Sequence, residues 1–119
     1  MKYALMVYSD QSAWIGMTEE EAHAARAASM PRWLALFEEL ARVDPAVAGH
    51  ELEAALDART VRVRGGERLV TDGPFAETKE LIGGIFILDA PDLDEAIRLA
   101  SLVPAAEYGS IEVRPIVEH

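Results

Sequence analysis

The stretch RTVRVRGGERLVTD, residues 59–72, sets how the rest of the chain is read. Two alternating runs, Thr60-Val61-Arg62-Val63-Arg64 and Glu67-Arg68-Leu69-Val70-Thr71, flank Gly65-Gly66. Alternation marks strands, and a pair of glycines supplies the positive φ angles of a two-residue type I′ or II′ turn. Such a turn fixes register, so facing residue numbers sum to 131. Val61 then faces Val70, Arg64 faces Glu67, and Arg59 faces Asp72.

Toward the N-terminus, Lys2 to Tyr8 is apolar on both faces and reads as a central strand covered on both sides. Ser9 to Met17 reads as a loop, with Trp14 and Ile15 folding back on the body. Thr18-Glu19-Glu20-Glu21 fits a capping box opening a helix. Met30, Trp33, Leu34, Phe37, Leu40 and Ala41 follow at helical spacing and predict one buried stripe. Pro31 removes a backbone donor, which predicts a kink or break near residues 28–30, and the helix should stop before Asp44-Pro45. Ala46 to Glu53 reads as a short strand made irregular by Gly49.

Toward the C-terminus, Gly84 to Asp89 is a second strand with two apolar faces. Asp92 caps a helix with Glu95 at its third position and Leu93, Ala96, Ile97 and Ala100 as its buried side. Ile111, Val113 and Val117 alternate with Glu112 and Arg114 in a half-buried last strand. The order is β-α-β, hairpin, β-α-β within a single domain, 1–119. Setting the hairpin aside leaves a ferredoxin-like βαββαβ arrangement, an α+β fold with helices on one face of an antiparallel sheet. The sheet's other face would be an apolar patch too large for a monomer. A second copy of the same sheet is the simplest cover, so a homodimer is expected.

Composition narrows the chemistry. The 119 residues are 50% hydrophobic and carry a net charge of −10. The absence of cysteine excludes disulfides, thiolate chemistry and cysteine-ligated metals. Surplus acid repels a phosphate backbone, so no nucleic acid is expected as a partner. No apolar run approaches the ~20 residues that span a bilayer, and the start lacks a long apolar leader, so a cytoplasmic protein without membrane contact is expected. No metal is expected, because no His-x-x-x-His pair, calcium loop or facial-triad spacing occurs. No cofactor is expected, for want of a phosphate-binding loop or dinucleotide fingerprint.

Residues 70–84, VTDGPFAETKELIGG, with Asp92 to Ala96 and IEVRP at 111–115, resemble the DGPF group of YCII-related proteins. The likeness covers nearly the whole chain and is carried by the run Asp72 to Glu80. It implies a dimeric α/β barrel of ferredoxin-like subunits. It implies little about activity, since the group is largely uncharacterised and some members are associated with extracytoplasmic-function sigma factors. Related barrel families include dehydrochlorinases, muconolactone isomerases and cofactor-free monooxygenases. The broader group has a His–Asp pair proposed as catalytic. Here Trp33 stands where that histidine is expected, with Glu38 or Glu39 near the acid, so the dyad does not carry over.

Two functions remain open. One is a small-molecule-binding or accessory protein with a regulatory protein as a partner. The other is a cofactor-free enzyme performing proton transfer, isomerisation, or dehydrochlorinase- or monooxygenase-like chemistry on a small anionic or phenolic compound. In the enzyme, His50 would be the general base or acid, Asp72 the orienting carboxylate and Lys79 the anion stabiliser, imidazole being suited to proton transfer near neutral pH. Tyr8, Phe75, Glu77 and Arg114 would bind the ligand, Tyr8 and Arg114 from the cleft mouth between helices and sheet. The structural alternative pairs Asp72 with Arg59, pins the loop and plugs the core with Phe75. Asp72 cannot cap an N–H two residues on, because Pro74 has none. Gly83-Gly84 either lets backbone approach a ligand or marks a bulge. Arg62, Arg64 and Arg68 form a basic strip without interleaved aromatics, suited to the surplus acid of a partner subunit rather than to a stacked nucleic acid.

Overall fold

Two strands with apolar residues on alternate positions form the middle of a four-stranded antiparallel sheet in the computed structural model, which describes residues 1–75 and 78–119. Strand β1 spans Lys2–Asp10, two residues beyond the expectation. A short helix α1, Ser12–Ile15, replaces part of the expected loop. Helix α2 runs Glu19–Val43, β2 covers Ala48–Glu51, and a 3-10 turn occupies Ala55–Asp57. The hairpin strands are β3, Arg59–Arg64, and β4, Glu67–Asp72. Strand β5 spans Glu80–Asp89, helix α3 Leu93–Ser101, and β6 Ser110–Pro115, after a second 3-10 turn at Pro104–Glu107. The sheet order is β2-β5-β1-β6, and β3-β4 form a separate two-stranded sheet. This is a mixed, antiparallel α+β architecture.

The local signals in the sequence act as expected. Thr18 accepts the Glu21 N–H at 3.1 Å while the Glu21 carboxylate accepts the Thr18 N–H at 3.3 Å. Asp92 accepts the Glu95 N–H at 2.8 Å. Gly65 and Gly66 both have positive φ, 57° and 77°, so the turn is type I′. Its register is Arg59 with Asp72, Val61 with Val70, and Arg64 with Glu67.

Tyr3, Leu5 and Val7 of β1 and Phe86 and Leu88 of β5 point to one face, where they pack with Leu36 and Leu40 of α2 and Leu99 of α3. Burial of each such large side chain contributes about 1.5–3 kcal/mol. The alternate residues, Ala4, Met6, Ile85 and Ile87, lie on the face away from the helices. Covering on both sides, as read from the sequence, is thus one-sided among the described residues.

Four expectations need correction. α2 continues through Pro31 without a break, because a proline at position 13 of a 25-residue helix costs one hydrogen bond that the core-facing turns outweigh. Of its expected stripe Trp33 and Leu40 face the core, joined by Leu36, while Met30, Leu34, Phe37 and Ala41 are exposed. On α3 the buried side is Ala96, Leu99 and Ala100, and Leu93 and Ile97 face outward. Val117 lies beyond the end of β6 and is exposed.

Candidate functional site

The register of β1 on β5 slips at Gly83: Val7 faces Gly84 whereas Tyr8 faces Ile82. The two glycines therefore mark a bulge, one of the two readings open from the sequence. Beside it the Leu52 N–H donates to the Gly83 carbonyl at 2.9 Å, leading the chain out of β2 along the start of β5. Gln11 secures that segment. Its side-chain carbonyl accepts the Ala55 N–H at 2.9 Å and its amide nitrogen donates to the Ile82 carbonyl at 3.4 Å.

The base of the hairpin closes the other side. The Gly73 N–H donates to the Ala58 carbonyl at 2.8 Å and the Thr60 hydroxyl donates to the Gly73 carbonyl at 2.9 Å. Gly73 has φ +89°, a left-handed conformation that a side-chain-bearing residue would resist. These bonds bring Pro74 round to face Ala55, Ala58, Leu81 and Ile82, enclosing a recess of about 260 Å³. Its remaining wall includes Leu52, Glu53 and Asp57. Among the described residues the lining is apolar apart from two acidic residues, Glu53 and Asp57, and includes no basic one. It can hold a small apolar body with a hydroxyl to donate, and it opposes a bound anion.

The residues singled out in the sequence are dispersed around this recess. Asp72 ends β4, with its carboxylate 3.1 Å from Arg59 Nε and its side chain 91% exposed. The pairing half of its structural alternative holds. Phe75 departs from that alternative: it is 76% exposed, with the Arg62 guanidinium 5.3 Å from its ring centroid, and plugs no core. Lys79 is exposed just before β5, where its charge adds a small pull on Asp10. The Asp10 carboxyl is held below its ordinary range chiefly by the Ser12 N–H, which donates to it at 2.9 Å. His50 is exposed on edge strand β2. No hydrogen bond or ion pair joins any two of His50, Asp72 and Lys79 among the described residues, and none of the three lines the recess. Glu77 lies outside the described residues.

Tyr8 and Arg114 alternate with core-packed Val7 and Val113, so they lie on the sheet face away from the helices and not at the expected helix–sheet cleft. There the ladder sets His50, Ile85, Met6 and Glu112 in one row across all four strands, with Ala48, Ile87, Ala4 and Arg114 in the next. Glu112 Oε1 accepts from Arg114 at 2.9 Å. Glu112 Oε2 is buried without a hydrogen-bond partner, alone in this among side-chain atoms of the described residues. Such an atom is an exception among buried polar groups.

Gln11 and Glu112 were not among the residues the sequence singled out. Gln11 follows a strand and carries no motif. Glu112 sits in the IEVRP run, where alternation alone assigned it to the solvated side of the last strand.

The sequence model of the YCII-related domain matches residues 1–119. An uncharacterized protein of Rhizobium meliloti (strain 1021) is 35% identical over 121 residues, which cover 98% of this chain and 92% of that one. No helix among the described residues is long and apolar enough to cross a membrane.

Proposed function

The chain belongs to the YCII-related family, and on that premise we propose that it is a small-molecule-binding protein working as a homodimeric α/β barrel of ferredoxin-like subunits. The observation that carries the binding reading is the apolar recess bordered by Pro74 of the Asp72–Phe75 bend. Its two carboxylates favour a neutral phenolic ligand, whose hydroxyl can donate to Glu53 or Asp57, over an anionic one. Binding rather than proton transfer is put forward because His50, Asp72 and Lys79 are not among the lining residues.

Titration of ¹⁵N-labelled protein with phenol and with benzoate tests this reading. Phenol should shift the amides of Ala55, Ala58 and Ile82 at millimolar concentration, benzoate should not, and Ala55→Trp should abolish the shifts. Unmoved amides, or shifts that survive Ala55→Trp, refute it.

The homodimer reading rests on the uncovered sheet face, which has an apolar centre and a polar rim, the anatomy of a protein interface. A two-fold axis parallel to the strands reverses each row, setting His50 of one copy over Glu112 of the other. Light scattering should give twice the 13.0 kDa chain mass, and Met6→Lys should return the particle to the single-chain value. A single-chain mass for the unmodified protein at micromolar concentration would falsify the sheet dimer.

A further inference from the structure

The hairpin carries more exposed apolar surface than a free-standing element should. Val61, Val63 and Val70 share one of its faces and are 59%, 61% and 54% exposed. β3 and β4 pair only with each other, leaving each with an open edge. Two strands alone are marginal in water and need a third strand or a packing partner. The chain's radius of gyration, 16.2 Å, also exceeds the roughly 13.5 Å of a rounded chain of this length, as an element standing off the body would require.

Charge says what kind of surface would cover it. Residues 59–72 hold four of the 11 basic residues but two of the 21 acidic ones, so this segment is +2 and the rest of the chain −12. Of the four arginines, Arg59 alone has an acidic partner among the described residues, Asp72. Arg62 lies over Phe75, Arg64 donates to the carbonyl of its neighbour Val63, and Arg68 makes no hydrogen bond or ion pair among the described residues. A basic, valine-faced arm fits an acidic body, and the chain's own body is one. Nucleic acid is disfavoured as the occupant by the net charge of −10.

We propose that the β3-β4 hairpin is an arm that docks on a second copy of this chain, laying Val61, Val63 and Val70 on the partner's surface with Arg68, which shares their face, toward its acid. The inference takes the second copy from the homodimer reading but does not depend on which faces of the two sheets meet. In a two-fold assembly each copy gives one arm and receives one.

Because the chain has no cysteine, Glu67→Cys places a single nitroxide label beside the hairpin turn. Labelled, ¹⁵N-free chain is mixed with unlabelled ¹⁵N chain, and broadening of the latter's amides reports contact between copies. Broadening that fades at about 1 M salt, where screening acts within ~3 Å, supports the arm. The combined Val61→Ser, Val63→Ser and Val70→Ser variant should remove it and raise the dissociation constant at least about tenfold. The amides of Ala55 and Ile82 should keep their positions in that variant, showing that the body is folded. Absence of broadening in a particle of twice the chain mass overturns the arm and leaves the sheet dimer standing. Absence in a single-chain particle overturns both. Broadening that persists in Met6→Lys supports the arm while removing the sheet dimer. Broadening only on addition of an acidic protein other than this chain overturns the second copy as occupant.

Discussion

The Gln11 side chain reaches 44 residues along the sequence to accept the Ala55 N–H. Its position just beyond β1 lets it hold the 52–58 segment against the start of β5, with its amide toward the Ile82 carbonyl. Without it the Ala55 N–H, which is partly buried, loses its acceptor. Gln11→Ala should cost about 1–2 kcal/mol in urea unfolding and speed hydrogen exchange at Ala55. An unchanged exchange rate at Ala55 would show that the clamp is not made in solution.

Acid should loosen the two long helices from each other. Arg98 of α3 donates to Glu95 at 2.6 Å and to Glu39 of α2 at 2.8 Å, and Arg42 also donates to Glu39 at 2.6 Å. The bonds from Arg42 and Arg98 lower the Glu39 carboxyl from 4.5 to about 2. A depressed folded value means that the unfolded chain binds the proton first. The contribution is therefore complete above pH 4.5 and fades as pH falls toward 2. Glu39→Gln should lower the melting temperature at pH 7 and flatten its pH dependence across that window. A parallel pH profile for variant and parent would count against the network.

Gly109 approaches the backbone of β1 so closely that a Cβ there would collide with the Tyr8 carbonyl oxygen and lie 3.2 Å from Ser9 Cα. Both are backbone atoms of the central strand and cannot turn aside. Gly109→Ala should destabilise by about 3 kcal/mol or more. Gly49→Ala meets the Phe86 ring at 2.6 Å instead, and a side chain can yield where backbone cannot. The smaller loss expected there, about 1–3 kcal/mol, is checked by denaturant melts of the two variants in parallel.

Phe75→Ser should change global stability by less than about 1 kcal/mol, since the ring is 76% exposed and its contact is the Arg62 guanidinium. A loss of several kcal/mol in thermal or urea unfolding would place the ring in a core after all.

Features encoded within a few residues were legible. The hairpin register follows from Gly65-Gly66 alone, and the caps at Thr18 and Asp92 need only a side chain and an N–H three residues away. The pairing of Asp72 with Arg59 was legible for the same reason, because the turn dictates it. The buried face of α2 was legible only in part: Trp33 and Leu40 lie on it, whereas Leu36 was missed. Met30-Leu34-Phe37 and Trp33-Leu36-Leu40 are neighbouring apolar stripes, and periodicity cannot say which of the two the sheet covers. The recess was legible only at Pro74. Its other walls come from the 52–58 segment, whose position depends on Gln11 and the bulge at Gly83, both set by contacts distant in sequence. Glu112 looked solvated because alternation assigns a side and says nothing of how neighbours enclose one oxygen.

Ala58 and Gly73 meet through a 2.8 Å hydrogen bond, so the fourteen residues between them leave and rejoin the body at one point. A segment attached this way is a cassette. It can be lengthened, exchanged for a foreign loop or spliced out across Ala58–Gly73 while the four-stranded sheet keeps every one of its own ladders. The body and its projection are thereby free to diverge at different rates, so related chains could share one scaffold and differ in what they grip.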